Sequence, residues 1–493
     1  MHTLLAQLGD LRVSPPLVFE AARLELARVA TLGVTGFDAP ATGAGVAESA
    51  VALHGAAMLV AGVPLADTPA RARALAAIDR AAAYAAAHPD VARFDRLTFI
   101  ADYTEPALRA LNAARRAAGV PQVERPRAWV GTTLFERGAF APRAYAPESA
   151  PMPTPAVVAL GARLFADPAL SGDGLRACAS CHVPAHAFTD GRRAPAAAHG
   201  ASRALRRNTP SLLAAAYEPA LFADARAVTL EDQAAVVLAS RDEMASSAEH
   251  VAERLARAPA DAAAFRAALG GPPTPLGVRQ ALAAYVRSLG RTESRVDLAF
   301  RGDCRALTPV ERRGASLFLG RAGCGTCHFA PLFAGASPPL FRSVDVEVLG
   351  VPALGGRHVD PDPGRGAVDG RPEHRHAFKT PSLRNVARTA PYMHNGVFRT
   401  LDAVVRFYDG GGGRGRGLDV PNQTLPARPL RLTRRERGAL VAFLRALSDT
   451  ARVGPPASCH HSRVPGRQRP RGRCARDDGG LVRVPRHAPQ IEQ

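Results

Sequence analysis

The chain has 493 residues, a length that suits about three domains each able to bury a core. Its formal charge of +19 is carried by arginine, with Lys379 the single lysine. No nucleic-acid motif and no basic stripe interleaved with aromatics goes with that charge, which sets nucleic-acid binding aside, and no apolar run is long enough to span a membrane.

Residues 17–32 carry apolar side chains at helical spacing, with Glu20, Arg23 and Arg28 between them, and predict an amphipathic helix. The run from Gly33 through Gly36 to Pro40 ends it. Further helices are expected over residues 47–61, 68–88 and 106–118, the last opened by Pro106 in a first-turn position and stopped by Gly119. A loop with Pro121, Pro126 and the single Trp129 follows. Residues 1–147 hold no metal, nucleophile or phosphate motif and read as a helical packing or partner domain.

Two later stretches share one pattern, Cys178-Ala179-Ser180-Cys181-His182 and Cys324-Gly325-Thr326-Cys327-His328. C-x-x-C-H is the attachment signature of c-type haem. On a helical turn, residues three and four apart share a face, so both thiols reach the two vinyl groups of one porphyrin and the histidine comes under the iron. A C-x-x-C pair alone also serves zinc half-sites and redox dithiols. His182 and His186 have metal-ligand spacing, but His182 abuts Cys181 and leaves no finger between the pairs. The second motif has no such histidine pair, and a redox dithiol needs no histidine after its second cysteine. Two covalent haems, on Cys178 and Cys181 and on Cys324 and Cys327, are therefore the reading. Cys304, Cys459 and Cys474 remain and form no disulfide framework. Haem attachment of this type implies a periplasmic setting; no export signal follows Met1, so it is expected upstream of the given start, or the start is misassigned.

The two motifs sit in duplicated surroundings. Leu160-Gly161-Ala162-Arg163-Leu164-Phe165 precedes the first and Arg313-Gly314-Ala315-Ser316-Leu317-Phe318 the second. Thr209-Pro210-Ser211-Leu212 and Thr380-Pro381-Ser382-Leu383 follow them, and helices through Ala281 and Tyr285 and through Ala439 and Phe443 close each unit. The expectation is a mainly α protein with two tandem cytochrome c-like haem domains, residues 148–300 and 301–448, behind the helical domain. Residues 449–493, rich in Arg, Pro and Gly without apolar periodicity, are expected to be a disordered tail.

Over residues 155–448 the chain resembles the di-haem cytochrome c peroxidases and their relative MauG. The likeness rests on the two haem turns, on Leu170-Ser171-Gly172-Asp173-Gly174, on Ala187-Phe188-Thr189-Asp190-Gly191, on Arg207-Asn208-Thr209-Pro210-Ser211-Leu212-Leu213 and on Thr389-Ala390-Pro391-Tyr392-Met393-His394-Asn395-Gly396. It implies that His182 and His328 are axial iron ligands, that the first haem is peroxidatic, that Glu243 is its acid–base residue and that Gln233 lines the same pocket. His199 falls where some members carry a displaceable distal histidine. Tyr408 falls at the sixth-ligand position of the second haem, where peroxidases have methionine and MauG has tyrosine. A calcium ion between the haem domains would map to Asn208 and to backbone oxygens of Thr389 and Pro391. In two places the chain departs from the family: the inter-haem tryptophan falls on Ala223 and a pocket proline on Val237. The implied function is reduction of hydrogen peroxide with electrons from a small protein such as a cytochrome c or a cupredoxin; the resemblance also allows a homodimer. The alternatives are a MauG-like oxidase that uses high-valent iron to modify a protein or small molecule, and a non-catalytic di-haem electron carrier.

Overall fold

The computed structural model describes residues 14–66, 68–123, 128–193, 205–290 and 292–449. It is mainly α-helical, with two helical units built alike around the two C-x-x-C-H turns and a helical region before them. The opening region consists of α1 (Pro15–Thr31), α2 (Gly45–Ala61), α3 (Pro69–Ala87) and α4 (Glu105–Ala117), all within two residues of the expected bounds. Thr68 caps α3 by accepting the Arg71 N–H, and Pro69 sits in the first turn, where no intrahelical N–H is needed. Alanine faces let α3 pack closely on α2 and α4 through Ala57, Ala74 and Ala81. One stretch was not foreseen: a single α-turn at Arg96–Phe99 runs into a π-helical turn at Ile100–Thr104.

The first unit contains α5 (Pro155–Phe165), α6 (Leu230–Ala239), α7 (Ala248–Arg257), α8 (Pro259–Leu269) and α9 (Pro275–Ser288). The second contains α10 (Arg295–Phe300), α11 (Pro309–Leu319), α12 (Leu401–Asp409) and α13 (Arg434–Ala446). Between α11 and α12 a short antiparallel pair, β1 (Val346–Val348) and β2 (Ala377–Lys379), sets Val346 opposite Lys379 and Val348 opposite Ala377.

The duplication holds at atomic scale. Gly161 of α5 lies against α9, where a Cβ would meet the Ala281 carbonyl oxygen at 2.0 Å; Gly314 of α11 lies against α13, where it would meet the Ala439 carbonyl oxygen at 2.1 Å. One helix in each unit thus crosses the other at a glycine, the single residue that lets the backbones come so near. Phe165 then meets Tyr285 at 5.0 Å between ring centroids, and Phe318 meets Phe443 at 5.1 Å.

Among the described residues two large apolar cores result, beside a small cluster of Val348, Ala377 and Val420 at the β1–β2 pair. Leu164, Phe265 and Val278 belong to the core of the first unit. Leu26, Val34 and Phe99 of the opening helices share one core with Phe318, Phe333 and Phe443 of the second unit. Among the described residues no helix is long and apolar enough to cross a membrane.

Candidate functional site

Each C-x-x-C-H stretch starts as a 3-10 turn, Cys178–Ser180 and Cys324–Thr326. The backbone N–H of His182 closes on the Cys178 carbonyl at 3.0 Å and that of His328 on the Cys324 carbonyl at 2.9 Å. This is the single turn that the spacing predicts. His182 Nδ1 stands 3.0 Å from the Phe188 carbonyl oxygen and His328 Nδ1 3.1 Å from that of Pro381. A carbonyl only accepts, so Nδ1 carries the proton and Nε2 keeps its lone pair. Burial lowers the proton affinity of both rings, bringing His328 to about 4, so both stay neutral.

The repeated Thr-Pro-Ser-Leu stretches have a mechanical role here. Ser211 Oγ donates to the Ala187 carbonyl at 2.7 Å, and Ser382 Oγ to the Leu332 carbonyl at 2.8 Å. Those carbonyls immediately precede Phe188 and Phe333, which hold positive φ of 60° and 49°. The carbonyls of Pro210 and Phe333 complete the set beside the two imidazoles. Each serine therefore pins a strained turn that orients an axial-ligand candidate. Phe165 and Phe318 stand near His182 and His328 at 6.3 and 6.5 Å between ring centroids.

Both turns open into one cavity of about 1440 Å³ lined by Cys178, Cys181 and His182 and by Cys324, Cys327 and His328. None of the four cysteines is in a disulfide. Burial pushes Cys178, Cys324 and Cys327 up to about 12 and raises Cys181 as well. A reactive dithiol depends on a lowered thiol, and among the described residues no three His, Cys, Asp or Glu side chains converge to hold a metal ion. The redox-pair and zinc readings thus have no support in the geometry. Two neutral thiols and one imidazole lone pair at each turn, on a large cavity also lined by Arg206, Arg226 and Arg428, fit a porphyrin iron with acidic side arms.

Glu243 lies in the turn after α6 rather than on a helix. It lines the cavity and acts electrostatically on Cys178 and Cys181. Burial raises its carboxyl above the usual range, with Arg226 opposing. Gln233 and Val237 of α6 line the same cavity. Tyr408 of α12 lines it too, next to Cys327 and Cys324; burial first, and then these thiols, raise its phenol well above the ordinary value. Met393 and His394 are also in the lining. The His394 ring stacks on Phe378 at 3.8 Å, and its Nε2 lies 3.2 Å from Asp360 Oδ1. That contact has the distance of an ion pair without the alignment of a hydrogen bond. Burial works against the Asp360 charge, but His394 and Asn395 outweigh it and hold the carboxyl at about 2.

Asn208 Nδ2 donates to the Pro391 carbonyl, and Thr389 lines the same cavity, so the three residues expected at the calcium position are neighbours of one space. Ala223, at the expected tryptophan position, accepts the Lys379 N–H through its carbonyl at 2.7 Å and ties the first unit to β2. Trp129 is buried in the opening region under the Arg23 guanidinium, 3.4 Å from the ring centroid. His199 lies outside the described residues, as do Cys459 and Cys474.

Three features of the cavity escaped sequence reasoning. Lys379 Nζ pairs with Glu218, whose other oxygen accepts the Ser382 N–H at 3.1 Å. Arg207 bridges Asp224 at 2.6 Å and Asp362 at 2.7 Å. Phe37 and Pro40, from the loop after α1, stand in the lining. These partners are distant in the chain and carry no periodic signal; only the singularity of Lys379 marks one of them.

The family model for di-haem cytochrome c peroxidase matches residues 155–305. The methylamine utilization protein MauG of Methylorubrum extorquens is 38% identical over 311 residues, covering 61% of this chain and 82% of that protein. Cytochrome-c peroxidase IdrP1 of Denitromonas iodatirespirans is 36% identical over 333 residues, covering 61% and 85%. Among solved structures, a MauG-like protein associated with microbial copper homeostasis aligns with a TM-score of 0.52 at 30% identity, over 62% of this chain and 92% of that one. The chain therefore belongs to the di-haem cytochrome c peroxidase family, haem-bearing oxidoreductases among which MauG is counted.

Proposed function

We propose that this protein is a periplasmic peroxidase that reduces hydrogen peroxide to two waters, taking two electrons from a small redox protein such as a cytochrome c or a cupredoxin. The observation that carries the reading is Glu243, a carboxyl whose proton affinity is raised by burial and which lines the cavity together with His182 and its two thiols. Cys178 and Cys181 would tether one haem, and Cys324 and Cys327 the other, with His182 and His328 offering Nε2 to the irons. Bound haem would supply iron that takes electrons singly from the donor and delivers the two that peroxide cleavage needs.

The remaining work falls to the chain. Cleaving the O–O bond so that water leaves requires a proton to move from one peroxide oxygen to the other. A single carboxyl in reach of both oxygens performs both transfers, and burial raises the proton affinity of Glu243 in the direction that favours holding a proton between them. The Gln233 amide can donate to or accept from the peroxide and so orient it. Two further protons and two electrons complete the balance for two waters. The calcium ion would be held by Asn208 and the carbonyls of Thr389 and Pro391, the amide exchanging its present N–H contact to Pro391 for an Oδ1 contact to the ion.

Glu243→Gln tests the reading. It should slow the reaction of the haem-loaded protein with peroxide by about 100-fold or more, the usual weight of a general acid–base group, while haem content and resting spectrum stay unchanged. A variant that reacts at the original rate overturns the assignment.

A second reading, MauG-like oxidation of a protein or small molecule, is favoured by Tyr408 in the cavity beside Cys324 and Cys327. A phenolate there would be a hard anionic ligand that favours oxidised iron. On this reading peroxide-treated protein ignores a reduced donor cytochrome, and Tyr408→Phe abolishes its long-lived oxidised form. On the peroxidase reading the donor is consumed at two equivalents per peroxide.

A further inference from the structure

We infer that the N-terminal helical region completes the second haem site, with Phe37 as the wall residue that shields the cofactor and sets its potential; the inference rests on the reading that Cys324, Cys327 and His328 hold a haem. Phe37 lies in the loop after α1, almost 300 residues before the second motif. It nevertheless lines the same cavity as that motif, together with Gly36 and Pro40. Its ring stands edge-on to Phe329, the residue after His328, at 5.3 Å between centroids and 82° between planes. Phe329 is buried, whereas Phe37 remains 41% exposed. A large apolar side chain left open on a cavity wall gains from an apolar occupant, and a porphyrin is one.

The loop is built to stay in place. Asp38, next to Phe37, pairs with Arg28 of α1, which Glu25 also holds at 2.6 Å. The turn before it is gripped by Arg96, whose Nε donates to the Val34 carbonyl at 2.7 Å and whose other nitrogens donate to the carbonyls of Phe94 at 3.0 Å and Val91 at 2.6 Å. The same guanidinium lies on Gly320, where a Cβ would come within 2.7 Å of Nη1. Gly320 ends α11 just before the second motif, so one buried arginine joins the Phe37 loop to the segment carrying Cys324. The shared apolar core of α1, α11 and α13 fixes the rest of the arrangement.

An apolar wall that keeps water from a haem favours its reduced, less charged state. Phe37→Ala should therefore lower the midpoint potential of one haem and leave the other alone. A tenfold shift in its oxidised-to-reduced equilibrium, about 59 mV for one electron, is the expected size. Phe37→Leu, which keeps an apolar wall, should retain most of the original value. Redox titration followed optically reads both haems, and a His328→Gly variant identifies which signal belongs to the second site. Unmoved potentials in Phe37→Ala, or equal shifts of both haems, would overturn the shielding role. A pyridine haemochrome count made beforehand separates the two claims: fewer than two haems per chain refutes the second site itself, whereas two haems with unmoved potentials refute only the role of Phe37.

Discussion

The four titratable side chains that carry the proposed chemistry owe their state to burial more than to neighbouring charge. Glu243 and Tyr408 are both raised chiefly by desolvation, and His182 and His328 are lowered by it, so burial favours the neutral form of these four groups. Glu105, far from the cavity, obeys the same rule. Its side chain is fully buried at the start of α4; Oε1 accepts the Leu134 N–H at 2.9 Å while Oε2 has no hydrogen-bond partner, and burial raises the carboxyl from 4.5 to about 6. Because the folded value lies above the unfolded one, ionising Glu105 opposes folding. Stability present below pH 4.5 is lost as pH rises through about 6, by ~2 kcal/mol. Glu105→Gln should raise the urea midpoint at pH 7.5 and leave it nearly unchanged at pH 4.5; an equal effect at both values contradicts the account. A smaller effect is expected at Ser382. Removing its hydroxyl by Ser382→Ala frees the Leu332 carbonyl and should cost ~1 kcal/mol, read as a lowered denaturation midpoint, with a perturbed axial His328 signal in the haem-loaded protein.

At the scale of elements, the duplicated glycine crossings carry the architecture. Gly161→Ala and Gly314→Ala each drive a methyl into a carbonyl oxygen of the facing helix, at 2.0 and 2.1 Å, and should cost ~1–3 kcal/mol by overpacking. Thermal melts of the two variants should both shift downward; no shift in either would show that the helices separate at no cost. These crossings were half legible in the sequence. The repeated glycine and the aromatic within each closing helix stood out as a duplication, but which backbone the glycine met did not. Threonine caps and first-turn prolines set further helix starts, at Thr154-Pro155, Thr274-Pro275 and Thr308-Pro309, for which the sequence reading placed no bounds. The β1 and β2 pair was not legible: three residues on each side, separated by a long loop, give no period to detect. The turns at Arg96–Thr104 were missed because a π-helical turn breaks the 3.6-residue rhythm that periodicity reads.

For the molecule as a whole, the haem motifs were legible because their chemistry is local, five residues on one turn. The cavity that unites them was not, because its walls come from Gln233, Lys379, Tyr408 and Phe37, brought together only by the fold. The same holds for the two cores. Nothing in residues 15–117 announces that their helices pack with the second unit rather than stand apart, yet Leu26, Val34 and Phe99 share a core with Phe443. The family likeness covers 61% of the chain. The central claim remains peroxide reduction in the cavity that Glu243 and His182 share. Its most direct test is steady-state oxidation of a reduced small cytochrome c by hydrogen peroxide, catalysed by full-length protein carrying two haems. The account predicts two cytochromes oxidised per peroxide and a loss of about 100-fold or more in Glu243→Gln. A fully haem-loaded wild-type protein that leaves both peroxide and cytochrome untouched would contradict it.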